Sequence, residues 1–197
     1  MKMISDLLIT ALFTVFVQNL VLSSGLGMSE AIRVSTKPGM FGKFAAMISG
    51  FSVVTSVICS LLNTVIGFGS MPFAGKAAVY GGILAAVYIL ISVLLKLIFK
   101  VTDKFLGTLG IAALNTLVFA VPFINESAAY SFADAIGSGL GAGIAFVLAA
   151  ALISKGSAAL EKNENIPEAF KGTPAMLIYV GLLSLAFAGF ADSSLFA

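Results

Sequence analysis

The sequence predicts an all-α integral membrane protein of six transmembrane helices. Three observations carry that expectation: an apolar composition, six apolar stretches of spanning length, and a lopsided placement of basic residues. Hydrophobic residues make up 59% of the chain and charged residues 10%, and the mean hydropathy is +1.10. That balance lies outside the range of water-soluble domains. One span takes roughly 20 apolar residues, so the chain has room for roughly five to seven spans and no soluble domain. Residues 1–197 are expected to form a single integral membrane domain. The opening Met1-Lys2-Met3 runs into an apolar stretch without a small-residue cleavage site, which reads as a retained first span rather than a removed signal peptide.

The apolar stretches cover residues 4–26, 44–67, 77–99, 105–124, 135–153 and 174–191. Polar connections are expected at 28–43, 68–76, 100–104, 125–134 and 154–173. Of the 11 Lys and Arg, nine flank the first, third and fifth connections: Arg33, Lys37, Lys43, Lys96, Lys100, Lys104, Lys155, Lys162 and Lys171. Only Lys2 and Lys76 fall on the other side, and the fourth connection has Glu126 and Asp134 but no basic residue. Basic residues near span ends are kept on the cytoplasmic side. The odd connections therefore face the cytoplasm and both termini lie outside.

Two halves of three spans each would be inverted relative to one another, and such repeats place broken helices at matching positions near the midplane. The first span holds Asn19 followed by Leu20-Val21-Leu22, with Gly25 and Gly27 beyond it. The fourth holds Asn115-Thr116-Leu117-Val118-Phe119, preceded by Gly107 and Gly110 and closed by Pro122. Breaks are accordingly expected in spans one and four, with Asn19, Asn115, Gly25 and Gly27 as candidate pathway residues. An amide in hydrocarbon needs a partner. The plainer reading of each Asn is a helix-to-helix hydrogen bond worth ~1 kcal/mol.

The fifth span opens Gly137-Ser138-Gly139-Leu140-Gly141-Ala142-Gly143, two interleaved Gly-x-x-x-Gly pairs that favour close helix approach within the chain over an intermolecular contact. No strand precedes these glycines, so they are no dinucleotide fingerprint. No nucleic-acid partner is expected either. Histidine is absent and Cys59 is the only cysteine, so the chain alone cannot ligate haem or an iron–sulfur cluster. Cys59 reads as a small buried apolar residue. The nine acidic residues all sit in connections or near span ends, which argues against ion coupling through an intramembrane carboxylate. No catalytic residue is evident.

The segment Val17-Gln18-Asn19-Leu20-Val21-Leu22 with Leu26-Gly27 resembles the first-span signature of the Rnf/Nqr family. A second likeness is Ile166-Pro167-Glu168-Ala169-Phe170-Lys171-Gly172 with Pro174, leading into the last span, 181–190. The likeness is to the A-type member of Rnf and the E-type member of Nqr, and it implies a multi-pass protein of a bacterial inner membrane. It also implies a homologous membrane partner of opposite topology and further Rnf/Nqr-type subunits. The complex implied moves electrons between NADH, ferredoxin or quinone while translocating Na⁺ or H⁺. The family shares a [2Fe–2S] cluster between the paired subunits, each giving two thiolates. The two ligand positions here hold Ser29 and Thr116, so no cofactor is expected on this chain alone. Two readings follow: a diverged subunit that keeps the scaffold of the electron and ion pathway, or a paralogue acting as a small-molecule or ion transporter without electron transfer.

Overall fold

A computed structural model describes residues 2–67 and 71–191, and every regular element among them is helical. In chain order these are α1 (Lys2–Phe16), α2 (Leu20–Ser24), α3 (Met28–Ser35), α4 (Phe41–Ile66), α5 (Phe73–Phe99), α6 (Asp103–Ala113), α7 (Thr116–Ser127), α8 (Phe132–Glu161) and α9 (Thr173–Ala191). Short 3₁₀ turns at Pro38–Met40 and Glu168–Phe170 introduce α4 and precede α9.

Among the described residues, four segments are long and apolar enough to cross a membrane: Pro38–Ile66, Phe73–Phe99, Asp103–Ser127 and Phe132–Glu161. The chain is thus a multi-pass helical membrane protein. Helices α1 and α9, in the first and last apolar stretches, are shorter. At 1.5 Å per residue α1 extends about 22 Å, less than the ~30 Å hydrocarbon core, and the chain breaks after it before α2 continues.

Several expected boundaries move. The first polar connection is largely ordered: it contains α3, whose Ala31 and Val34 are buried, and α4 already begins at Phe41, so Lys43 is helical. The second connection is shortened because α5 starts at Phe73 and carries Lys76 in its first turns; residues 68–70 lie outside the described residues. In the fourth, α7 runs on to Ser127 and takes in Asn125 and Glu126. Helix α8 exceeds its expected bounds at both ends. At three of these ends polar side chains find partners within the bundle, Lys76 with Glu126, Asn125 with Ser138 and Asp134 with Thr10, so polarity did not mark the ends of those helices.

Helix α8 is the centre of the bundle, packed most extensively against α4 and α1. Its start is fixed by a reciprocal cap in which the Ser131 hydroxyl accepts from the Asp134 N–H and the Asp134 carboxylate accepts from the Ser131 N–H. The Thr10 hydroxyl of α1 donates to the same carboxylate at 2.7 Å. The glycines let the backbones close up. A Cβ at Gly141 would stand 2.7 Å from the Ala11 carbonyl of α1, and one at Gly139 would stand 2.8 Å from the Val53 N of α4. Gly137 faces Leu7 and Gly143 faces Ser49, so the two strips serve two different neighbours within the chain. Around this centre α1, α5 and α9 turn large apolar side chains outward, among them Leu8, Leu12, Leu90, Leu97, Leu182 and Leu185, a surface suited to lipid or to another membrane protein.

Candidate functional site

Both helix interruptions are built the same way. Asn19 is extended (φ −66°, ψ 92°) and caps α2, its side-chain oxygen accepting from the Leu22 N–H at 3.1 Å. Asn115 is extended (φ −85°, ψ 143°) and caps α7, accepting from the Leu117 N–H at 2.9 Å. An interrupted helix exposes N–H groups that hydrocarbon cannot satisfy, and an Asn cap supplies the missing acceptor. The helix-to-helix hydrogen bond expected of each Asn is therefore replaced by local capping. The Asn19 amide is bonded through both its atoms, since its Nδ2 also donates to the Val15 carbonyl at 3.0 Å. The Asn115 Nδ2 is buried and has no hydrogen-bond partner among the described residues.

Gly25 and Gly27 make the turn from α2 to α3. Gly25 (φ +70°) ends α2 with its N–H on Val21 O, and the Leu26 N–H reaches back to Leu20 O, both at 3.1 Å, the left-handed helix stop that glycine favours. Gly27 (φ +74°) is pressed against the second interruption: a Cβ there would lie 2.8 Å from Asn115 Oδ1 and 3.2 Å from the Leu117 Cβ. The Gly27 N–H donates to Thr116 Oγ1 at 2.9 Å. The fold thus joins Gly27, Asn115 and Thr116, while Asn19 sits at the far end of α2 and Ser29 lies in the first turn of α3.

This donor set does not fit a thiolate-held cluster. Thr116 offers a hydroxyl already accepting from Gly27, Ser29 offers another, and Cys59 lines a different cavity. Thr116→Val, which orphans the Gly27 N–H, is expected to cost about 1–3 kcal/mol and to lower the thermal unfolding midpoint in detergent. Thr116→Ser keeps the acceptor and is expected to leave that midpoint close to the parent's.

An open, mainly apolar groove of about 730 Å³ runs beside the interruptions, lined among others by Gln18, Leu20, Leu26, Thr116, Phe119 and Phe123. A second cavity, about 270 Å³, lies between α4, α5 and α7 and is polar: Ser56, Cys59, Ser60, Asn63, Tyr80, Asn125, Glu126 and Tyr130 line it. Cys59 is buried as expected, at 2% exposure; it packs with Tyr80 against Leu62, Val79, Ile83, Phe119 and Phe123 and also borders the hydroxyls and amides of this cavity. Glu126 is held by Lys76 at 2.6 Å and accepts from the Tyr80 hydroxyl at 3.0 Å. Burial, and after it the Asp134 carboxylate, pushes the Tyr130 phenol above its ordinary value, so it stays a neutral donor at physiological pH. Ser56 Oγ and Asn125 Nδ2, which line this cavity, are buried without a partner among the described residues, and so are Ser52 Oγ and Thr55 Oγ1 on the preceding turn of α4. Each such group costs about 1–3 kcal/mol if left unpaired. Sequence reading missed this cavity. Its signal was present as small polar residues at helical spacing in the second apolar stretch, hidden by that stretch's overall hydropathy.

Comparison with known proteins points in one direction. The chain is 28% identical over 192 residues to the E subunit of the Na⁺-translocating NADH-quinone reductase of Hahella chejuensis, covering 92% of this chain and 94% of that one. It is 29% identical over 186 residues to the A subunit of the Na⁺-translocating ferredoxin:NAD⁺ oxidoreductase complex of Acetobacterium woodii, with 92% and 94% covered. The E subunit of the Pseudoalteromonas translucida NADH-quinone reductase matches at 29% over 193 residues, covering 92% and 95%. The family model described as Rnf-Nqr subunit, membrane protein, matches residues 7–192, and the chain accordingly belongs to the Rnf-Nqr family of membrane proteins.

Proposed function

We propose that this chain is a membrane component of an ion-translocating electron-transport complex of the Rnf/Nqr kind, serving as the A-type scaffold of its transmembrane pathway. In this reading it forms a single integral domain in the bacterial inner membrane, crosses six times as two inverted halves, and keeps both termini outside. The observation that carries it is the paired interruption, in which two Asn-capped half-helices meet through Gly27, Asn115 and Thr116. Family membership over nearly the whole chain and the nine basic residues on alternate connections support it. A homologous partner of opposite topology would dock along the groove that Thr116 lines. The chain contributes no cluster ligand: Ser29 and Thr116 stand where the family's cysteines would, so electron transfer at this position falls to the partner or is lost.

The polar cavity favours a second reading, a small-molecule or ion transporter without electron transfer, because a bare scaffold has no use for buried unpartnered hydroxyls. Mild-detergent purification of the tagged chain from its native membrane separates the two. The first reading expects flavin-bearing and ferredoxin-like proteins in the eluate. Recovery of the chain alone, or with one homologous partner and no iron, would leave transport as the function.

A further inference from the structure

Ser52, Thr55, Ser56, Cys59, Ser60 and Asn63 follow one another at helical spacing on one face of α4, which runs from Phe41 to Ile66. The stripe begins near the middle of that helix and ends near its C-terminus. At 1.5 Å per residue it extends about 16 Å, or roughly half the hydrocarbon thickness. The outer part of the stripe, Ser56 to Asn63, lines the cavity shared with Tyr80, Asn125 and Glu126. Ser52 and Ser56 are both 0% exposed and Thr55 is 1% exposed, and none has a hydrogen-bond partner among the described residues. The Asn125 Oδ1 accepts from Ser138 at 2.7 Å, while its Nδ2 is one of the unpartnered atoms.

Buried hydroxyls on helices ordinarily bond back to a carbonyl one turn earlier, as Thr14 does to Thr10 O at 2.9 Å. Ser56, which lines the cavity with further hydroxyls and amides, does not, and neither do Ser52 and Thr55 on the preceding turn of the same helix face; the partner of Ser56 is therefore something the cavity admits. Water meets the requirement: the cavity is polar, large enough, and offers each molecule several partners. Its other side leads outward. Glu126 lines both this cavity and an outer recess formed by Met71, Phe73, Lys76, Phe123, Ile124 and Ser127. The Lys76–Glu126 pair, 18% and 17% exposed, stands between the two. The pair balances its own charge, so it sets no net charge across the passage.

We infer that the face of α4 from Asn63 to Ser52, closed by α5 and α7, is a water-filled half-channel that opens past the Lys76–Glu126 pair and ends blind near the middle of the membrane. Its ligand is water, held by hydroxyl and amide groups. The inference needs only that α4, α5 and α7 span the bilayer, and it stands whichever of the two functions above is correct.

The test is thiol accessibility in a Cys59→Ala background, with the whole chain in native membrane vesicles of both orientations. The probe is the membrane-impermeant reagent 2-(trimethylammonio)ethyl methanethiosulfonate. Ser56→Cys is expected to react at least tenfold faster from the face carrying Lys76 than from the opposite face. It is also expected to react at least tenfold faster than Ile48→Cys, a fully buried position in the apolar part of the same helix. Equal rates from both faces, or a rate at Ser56→Cys no higher than at Ile48→Cys, would overturn the half-channel. Should Ser56→Cys fail to accumulate as folded protein by gel filtration, Ser60→Cys, one turn nearer the mouth and lining the same cavity, takes the same reading with the same two outcomes.

Discussion

Gly139→Val is expected to leave almost no monodisperse protein in a detergent extract. A Cβ at this position lies 2.8 Å from both the Val53 backbone N and Val53 Cγ2, and 2.9 Å from the Val53 Cα. Backbone atoms cannot swing aside, so α8 and α4 would have to separate along their length. Overpacking against a side chain typically costs about 1–3 kcal/mol, against a total stability of about 5–15 kcal/mol. Here the obstacle is main chain, and α8 is hemmed in on its other side by α1 through Gly137 and Gly141, so the cost sits at or above the top of that range. Gly107→Ala is the counter-case. Nothing lies within 4 Å of a Cβ at Gly107, its helical backbone suits alanine, and a gain of about 0.5–1 kcal/mol is expected. Fluorescence-detected gel filtration after a heating series reads both variants, and equal behaviour of the two would refute the packing argument.

Asn19→Leu is expected to be nearly as damaging, and Asn115→Ser nearly silent in stability. Leucine at 19 strips two backbone groups of their partners at once, the Leu22 N–H and the Val15 carbonyl, at a position with 0% exposure. At about 1–3 kcal/mol each, with no water in hydrocarbon to replace the amide, the loss is several kcal/mol. Serine at 115 retains an oxygen able to cap α7 and gives up only an Nδ2 that has no partner among the described residues. The thermal midpoint of Asn115→Ser should therefore stay close to the parent's. If activity of the purified complex falls while that midpoint holds, the Asn115 amide acts in the pathway; if neither moves, Asn115 is a cap and nothing more.

Class, apolar composition and the positions of the two interruptions were legible in the linear sequence, because each depends on local chemistry. An Asn preceding branched apolar residues inside a span is well suited to cap a half-helix, and glycines just past a half-helix favour a left-handed stop. The glycine run in α8 likewise signalled close packing. What it packed against was not legible: that Gly137 and Gly141 serve α1 while Gly139 and Gly143 serve α4 depends on where distant helices lie. The meeting of Gly27 with Thr116, 89 residues apart, is of the same kind. Helix ends differ from expectation at Phe41, Phe73 and Ser127; at the last two, side chains that resemble loop residues are satisfied by other helices, as Lys76 is by Glu126, whereas Lys43 near the start of α4 is exposed.

By itself, then, the sequence determined that this is a helical membrane chain with breaks at Asn19 and Asn115, and that hydroxyls rather than thiolates occupy positions 29 and 116. Only the tertiary structure decided which buried polar groups find partners. Asn19 and Asn115 read alike in the sequence, yet one amide is bonded through both its atoms while the other keeps a donor with no partner among the described residues. Ser56 reads as one small residue in an apolar helix, yet it lines a cavity closed by two further helices. Caps are local and follow from neighbours in the sequence. The satisfaction of a buried hydroxyl is set by what packs over it, and that is a property of the assembled bundle.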